Sequence, residues 1–189
     1  MSLGYKNGKK VGVLFSGGPA SAANTVISSA VLAFLNQNIP VIGVYNGFEY
    51  LEKFEKYNPY SLVEKVHYFH FDTSVTKIRN IRGVFLRTSR ANPGREIQSV
   101  EDLKDPKKIR SLQNILDAFE HLGVGYLITI GGDDTLKVAN YLHRLGMPVI
   151  HVPKTIDNDY YGIPWTFGYW TGVEVTKNAI LNLKADAES

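Results

Sequence analysis

Cysteine is absent from the sequence, so no disulfide can staple the chain. Long apolar runs are absent too, and no segment approaches the ~18 consecutive apolar residues typical of a membrane-spanning helix. The first ten residues, MSLGYKNGKK, are too polar for a signal peptide, whose apolar centre needs about 7–15 residues. These absences predict a cytoplasmic protein that does not enter a membrane.

Runs of one charge sign are also missing. The chain carries 21 basic and 18 acidic residues, and no basic run is longer than a pair such as Lys9-Lys10. This scattered charge predicts no nucleic-acid partner. A hydrophobic content of 44% argues against extensive disorder, and 189 residues can bury one compact core.

Strand and helix patterns alternate along the chain. Short apolar runs predict strands, and apolar residues at helical spacing predict helices between them. The predicted strands cover residues 10–15, 40–45, 126–130 and 148–152, and the predicted helices cover residues 22–35, 105–122, 135–145 and 171–183. Residues 48–94 follow no single period and predict short irregular elements. The alternation predicts an α/β fold with a doubly wound, mostly parallel sheet and helices on both faces, in the Rossmann-like manner.

Three loops follow predicted strands at the carboxyl edge of this sheet, where ligands of such folds bind. They read SGGPAS, GGDDT and PKTIDND. The first contains Gly17 and Gly18, and the second contains Gly131 and Gly132. Glycine pairs at helix starts leave backbone amides free for an anion, although tight strand-to-helix turns use the same residues.

Two carboxylates, Asp133 and Asp134, follow the second glycine pair, before a helix predicted to start at Thr135. One of them is explained as a helix cap. The other fits Mg²⁺, which prefers one or two carboxylates together with phosphate oxygens of a substrate.

The third loop holds Lys154, Thr155, Asp157 and Asp159, more charge than a turn requires. One aspartate can accept the proton of an attacking hydroxyl while the other holds the metal, backbone or an arginine. Lys154 would add positive charge at the phosphoryl oxygens. Taken alone, it reads as a solvated loop lysine.

Residues outside these loops give weaker signals. Arg90 offers a planar group suited to phosphate, but an arginine is usually a surface residue. His67 and His70 have a metal-like spacing, yet on an alternating strand they point to opposite faces. The aromatic residues between Phe48 and Tyr57 favour packing over base stacking, because no basic groove accompanies them.

The motifs together resemble the 6-phosphofructokinase family along nearly the whole chain. VGVLFSGGPA resembles its opening phosphate loop, GVYNGF its second strand and turn, and GVFLRTSR its arginine segment. ITIGGDDTL is similar to its metal and donor motif, PKTIDND to its catalytic loop, and IPWTFGYWTG to the segment that follows.

The resemblance implies specific roles. Asp157 would be the base toward the 1-hydroxyl of fructose 6-phosphate, with Thr155 and Asp159 completing the catalytic loop. Asp133 would lie near magnesium, Gly18 and neighbouring amides would hold the donor, and Arg90 would bridge donor and acceptor phosphates.

The resemblance is strongest to the pyrophosphate-dependent branch. Asp134 and Lys154 stand where ATP-using members typically have glycine, and Pro19 stands where they usually carry aspartate. Two side chains replacing two hydrogens would fill the space of a nucleotide's sugar and α-phosphate. The chain departs from the family at Arg87, which occupies a glycine position, and at Ala22-Ala23-Asn24, which lacks a further glycine.

The resemblance also implies that residues 1–189 form the N-terminal donor and catalytic domain, without the C-terminal half that binds the sugar phosphate. Such a fragment alone is expected to be inactive and to expose apolar surface, and the family commonly forms dimers or tetramers. The alternatives are an ATP-dependent 6-phosphofructokinase, another kinase with a GGD motif such as an NAD kinase, and a non-catalytic phosphate-binding or nucleotide-binding module. The TIDND sequence argues against the NAD kinases.

Overall fold

The computed structural model describes residues 9–58 and 60–188, and it contains a five-stranded sheet. The strands are β1 (Lys10–Phe15), β2 (Val41–Val44), β3 (Tyr68–His70), β4 (Val124–Gly131) and β5 (Val149–Pro153). Their order across the sheet is β3-β2-β1-β4-β5. Only the β2–β3 pair is antiparallel among these strands, so the mostly parallel sheet predicted from the alternating pattern is confirmed.

Helices cover both faces of the sheet. They are α1 (Ala23–Leu35), α2 (Arg110–Leu122), α3 (Asp133–Arg144) and α4 (Tyr169–Ala187). Short 3₁₀ helices at Leu51–Lys53, Thr73–Asn80 and Val100–Lys104 connect the larger elements. One hydrophobic cluster joins the sheet to α1 and the second joins it to α2 and α3.

Strand β1 shows how the sequence creates these two layers. Its side chains alternate between the faces, so Val11, Val13 and Phe15 enter the α1 cluster while Leu14 enters the α2–α3 cluster. Each of these four side chains is at most 1% exposed. A strand buried on both faces needs a continuous apolar run, and this explains why KVGVLF carries almost no polar residue.

The structure corrects several predicted boundaries. Helix α3 begins at Asp133 rather than at Thr135, so both aspartates lie in its first turn. Helix α2 starts at Arg110 and ends where Gly123 adopts a left-handed conformation, the predicted stop. The predictions for the polar N-terminal stretch fall on residues 1–8, outside the described part of the chain.

Gly43 in β2 offers a test of how tightly the sheet is packed between β2 and the aromatic residues of the neighbouring β3 segment. A β-carbon at this position would lie 2.6 Å from Phe69, 2.7 Å from Phe71 and 2.8 Å from Leu86. Gly43→Ala is therefore expected to lower the free energy of unfolding by about 2 kcal/mol or more, because overpacking forces strain. Urea unfolding measures the loss, and Gly172→Ala in α4, whose β-carbon would make only an ordinary 3.7 Å contact with Ser21 Oγ, serves as the control. Equal stability of both variants would contradict this packing.

Helix α4 contributes no buried residue among those described. Its exposed apolar side chains include Val173, Val175, Ile180, Leu181 and Leu183. The predicted exposure of apolar surface is thus confirmed at this helix, whereas association remains a prediction. Within residues 9–58 and 60–188, no helix is long and apolar enough to cross a bilayer.

Candidate active site

The three loops predicted to carry chemistry do lie side by side. Strand β4 lies between β1 and β5, so the three strands end together at one edge of the sheet. The backbone N–H of Ser16 donates to Ile130 (2.9 Å), and that of Lys154 donates to Gly131 (2.9 Å). These bonds continue the backbone hydrogen bonding of the sheet past the ends of the strands. They connect each loop to the loop beside it.

Lys154 is the central cation of this edge. It is only 7% exposed, and its Nζ donates a 2.9 Å hydrogen bond to the Gly18 carbonyl. A β-carbon built at Gly17 or Gly18 would lie 3.7 Å from Nζ. The interpretation of Lys154 as a solvated loop lysine is therefore wrong, because its ammonium reaches across the sheet edge to the first glycine pair.

Burial has an electrostatic consequence for Lys154. Removing the ammonium from water lowers its pKa below the ordinary 10.5, and the nearby Asp157 carboxylate partly opposes this shift. A buried ammonium that keeps few internal partners can still donate to a ligand. In the described structure the only hydrogen-bond acceptor of Nζ is the Gly18 carbonyl.

One glycine of each pair, Gly17 and Gly131, is required by geometry. Gly17 has φ of +87°, a left-handed conformation that favours glycine. A β-carbon at Gly131 would clash with the Thr135 side chain and lie 2.8 Å from the Ser16 carbonyl oxygen. These loops therefore approach each other more closely than side chains would permit.

Asp133 and Asp134 lie exposed in the first turn of α3, where the helix dipole favours negative charge. Gly132 is the N-cap residue, and it provides no side-chain cap. Near Asp133, burial raises the pKa of Tyr160 to about 12, and the carboxylate adds to this rise. Tyr160 Oη is buried beside the Asp133 carboxylate.

The two aspartates of the third loop, Asp157 and Asp159, differ in their hydrogen bonding. Asp159 accepts a 2.7 Å hydrogen bond from the Thr155 hydroxyl, which also accepts one from the Asp157 backbone N–H (3.1 Å). The Asp157 carboxylate is exposed and has no hydrogen bond to any described residue. Asp159 thus shapes the loop, while Asp157 is free to meet a substrate.

Two polar residues that sequence reasoning missed support this loop. The Asn158 side chain accepts from the Thr166 backbone N–H (3.0 Å) and donates to the Pro164 carbonyl (2.9 Å). Asn158 itself has a positive φ of 55°. The sequence signal was an asparagine within a turn, a residue type that tolerates this conformation.

Arg90 directly follows Thr88 and Ser89, two residues that form hydrogen bonds with the first glycine loop. The Gly17 backbone N–H donates to the Ser89 carbonyl (2.9 Å), and the Thr88 hydroxyl donates to the Gly17 carbonyl. Arg90 is exposed and forms no salt bridge within the described residues. Thr88 and Ser89 were not predicted to contribute, because a hydroxyl facing a distant loop leaves no periodic signal.

The histidines do not form a shared site. His67 accepts from the Val63 backbone N–H (2.9 Å), whereas His70 lies 3.2 Å from Glu64. His151 lies in β5 and contacts the Thr129 hydroxyl (2.9 Å), and burial lowers its pKa to about 4. It is therefore neutral at physiological pH.

A cleft of about 490 Å³ opens between the loops and α4. Ala20 and Ser21 form one side, Thr155 and Ile156 another, and the first turns of α4 close it. The cleft therefore borders the catalytic loop on the side where Thr155 lies. It is large enough for a small ligand.

Comparison with known proteins agrees with this geometry. The family described as "Phosphofructokinase" matches residues 10–189. The pyrophosphate–fructose 6-phosphate 1-phosphotransferase of Thermotoga maritima is 35% identical over 187 residues, covering 96% of this chain and 40% of that protein. The ATP-dependent 6-phosphofructokinase of Chloroflexus aggregans is 35% identical over 181 residues, covering 96% of this chain and 47% of that protein.

The fold is also found in solved structures. Pichia pastoris phosphofructokinase in the T-state matches with a TM-score of 0.68 and 19% identity, covering 96% of this chain and 21% of that chain. The chain thus spans less than half the length of the relatives and the structure it is compared with here. Because the family match extends over almost every residue, the chain belongs to the phosphofructokinase family.

Proposed function

We propose that this chain provides the phosphoryl-donor and catalytic part of a pyrophosphate-dependent 6-phosphofructokinase. The reaction would transfer a phosphoryl group from magnesium pyrophosphate to the 1-hydroxyl of fructose 6-phosphate. Relatives with either donor in their names are equally similar to this chain, so family membership does not decide between pyrophosphate and ATP. The proposal for the donor depends on the site itself.

The observation that carries the proposal is the position of Lys154. Its ammonium donates a 2.9 Å hydrogen bond to the Gly18 carbonyl, and a β-carbon added at Gly17 or Gly18 would lie 3.7 Å from Nζ, beside a glycine-rich loop suited to cradling phosphates. A lysine there occupies volume that a longer nucleotide would need. It also adds a positive charge suited to a compact, highly charged donor.

The chemical step requires a base near the acceptor hydroxyl. The sugar O1 attacks the terminal phosphorus, the bond from phosphorus to the bridging oxygen breaks, and inorganic phosphate leaves. The proton of the 1-hydroxyl passes to Asp157, whose exposed carboxylate has no hydrogen bond within the described structure. Thr155 and Asp159 hold the loop that presents it.

Magnesium fits the carboxylates at the start of α3. Asp133 would hold the ion, with donor phosphate oxygens completing its ligands; such shared coordination is usual for Mg²⁺. Among the described residues, no group of three or more His, Cys, Asp or Glu side chains could hold a metal ion by itself. When bound, magnesium would neutralise charge on the donor phosphates.

Arg90 is proposed to bind the donor and acceptor phosphates rather than to stabilise the fold. Its guanidinium is exposed and free of salt bridges in the described structure, so it can turn toward a ligand. Its neighbour Ser89 is bound to Gly17, which keeps the arginine next to the donor loop. Fructose 6-phosphate would approach through the cleft beside Thr155.

The reaction class is tested by product analysis of the full-length protein. Incubation with magnesium, pyrophosphate and fructose 6-phosphate is expected to produce fructose 1,6-bisphosphate and phosphate in equal amounts. A parallel incubation without the sugar reports simple pyrophosphate hydrolysis. Phosphate release that is independent of the sugar, or no sugar product at all, would contradict the proposal.

The depressed pKa of Lys154 predicts a pH dependence of donor binding. The Lys154 amine must be protonated to attract phosphate. The affinity for pyrophosphate is therefore retained below the folded-state pKa of Lys154 and lost above it. As the pH is increased, the KM for pyrophosphate is therefore expected to start rising before the pH reaches 10.5, the ordinary pKa of lysine. In Lys154→Arg, whose guanidinium stays charged, this rise should move to higher pH. The same alkaline limb in both proteins would rule out Lys154 as its source.

A further inference from the structure

Arg87 covers the aromatic ring of Tyr45, the residue that directly follows β2. Its guanidinium carbon lies 5.1 Å from the centre of the Tyr45 ring, within the range of a cation–π contact. The Tyr45 ring also stacks on Phe69 at a centroid distance of 5.1 Å and an interplanar angle of 25°. The Tyr45 ring is thus engaged both by Phe69 and by Arg87.

The Arg87 backbone is held in an unusual conformation. Its φ is +56°, in the left-handed region that long side chains rarely adopt. A 2.8 Å hydrogen bond from its N–H to the Val84 carbonyl closes the turn. Glycine would occupy this position without strain, so the arginine stands here against the local backbone preference.

Tyr45 lies close to the donor loop in the sheet. The register pairs Leu14 of β1 with Val44 of β2, so Tyr45 follows directly at the carboxyl edge. Asn46 then accepts a hydrogen bond from Ser89 Oγ (2.7 Å), and the Ser89 carbonyl accepts one from the Gly17 N–H. The backbone at Tyr45 is therefore at the same edge of the sheet as the phosphate loop and is linked to it through Asn46 and Ser89.

We propose that Arg87 is a donor-specificity residue that covers the Tyr45 ring against the base of a nucleotide. The inference rests on the proposed phosphoryl transfer and adds a determinant apart from Lys154. Lys154 acts where phosphates lie, whereas Arg87 acts at an aromatic surface next to them. The two side chains would exclude different parts of ATP.

The exclusion follows from the volume above the ring. Stacked aromatic rings lie with centres about 4.5–7 Å apart, the range in which the guanidinium already lies. A base and the guanidinium therefore compete for one surface. Pyrophosphate has no base, so it loses nothing when Arg87 remains in this position.

The test compares nucleotide and pyrophosphate binding to variants of the full-length protein. Arg87→Gly and Arg87→Asn both remove the guanidinium and suit a positive φ, so the turn is expected to persist. Calorimetric titration with MgADP should show affinity increased about fivefold or more in both variants, as base stacking on an aromatic ring would provide. Pyrophosphate affinity should change by less than about threefold, since Arg87 is an exposed charge.

Two controls show whether Tyr45 is responsible. Arg82→Gly removes another exposed arginine of the same segment and should leave MgADP affinity unchanged. Adding Tyr45→Leu to Arg87→Gly should abolish the gain. Unchanged MgADP affinity in both Arg87 variants, or a gain that persists without Tyr45, would overturn the inference.

This titration is independent of the test of the reaction. It requires neither fructose 6-phosphate nor turnover. A protein without pyrophosphate turnover whose Arg87 variants gain MgADP affinity would contradict the proposed function and support the role of Arg87. Pyrophosphate turnover without a gain of MgADP affinity in the Arg87 variants would support the proposed function and contradict the role of Arg87.

Discussion

Replacing Asp157 with asparagine is expected to lower kcat for phosphoryl transfer by about a thousandfold, within the range of a lost general base. Asparagine retains the shape of the side chain but cannot accept the proton of the sugar hydroxyl. The Asp157 carboxylate is exposed and forms no hydrogen bond in the described structure, so folding should be unaffected. Steady-state kinetics of the full-length protein with saturating donor and sugar measures the change.

Asp159→Asn is the matched comparison in the same loop. Asp159 accepts a hydrogen bond from the Thr155 hydroxyl. Replacing Asp159 should therefore loosen the loop and affect substrate binding and kcat together. Donor binding should survive in Asp157→Asn, because this residue is assigned to the acceptor. Turnover within tenfold of the wild type in Asp157→Asn would instead make Asp157 a structural residue, whereas absence of turnover in the wild type itself would favour a non-catalytic phosphate-binding module.

The double replacement of Asp134 and Lys154 by glycine is expected to reduce kcat/KM for pyrophosphate by about a hundredfold or more. The loss of one preorganised donor to phosphoryl oxygens has an effect of this order. The same change removes two side chains from the donor edge and frees volume beside Gly17 and Gly18. The ratio of pyrophosphate to ATP efficiency should therefore fall.

The single variants show how the effect divides between the two residues. Lys154→Gly also leaves the Gly18 carbonyl without its hydrogen bond, so its thermal stability must be measured beside its kinetics. Lys137→Gly, at an exposed lysine of α3, controls for a lysine lost and a glycine gained near the site. Unchanged pyrophosphate kinetics in the double variant would remove the physical reason for this donor.

Much of the fold could be predicted because its signals are local. KVGVLF is a continuous apolar run, and a strand buried on both faces needs one. The stop of α2 at Gly123 follows from a glycine in a left-handed conformation. The start of α3 was misjudged, because aspartate suits both the cap and the first turn of a helix.

The contacts within the site could be predicted only in part. The order of strands and loops brought Lys154, Gly131 and Ser16 to one edge, as parallel topology requires. The burial of Lys154 could not be predicted, since a charged loop residue is exposed by default and its cover comes from a loop distant in sequence. The bonds from Thr88 and Ser89 to Gly17 and Asn46 depend on the same long-range packing.

The most direct measurement is the ratio of kcat/KM for pyrophosphate to that for ATP, measured on the full-length protein with magnesium and fructose 6-phosphate. A coupled assay of fructose 1,6-bisphosphate formation reports both donors in the same way. With Lys154 filling the donor edge, we expect pyrophosphate to be preferred by about a hundredfold or more, the scale of one preorganised charge. Equal or better turnover with ATP would contradict the assignment of Lys154 and Asp134 to pyrophosphate.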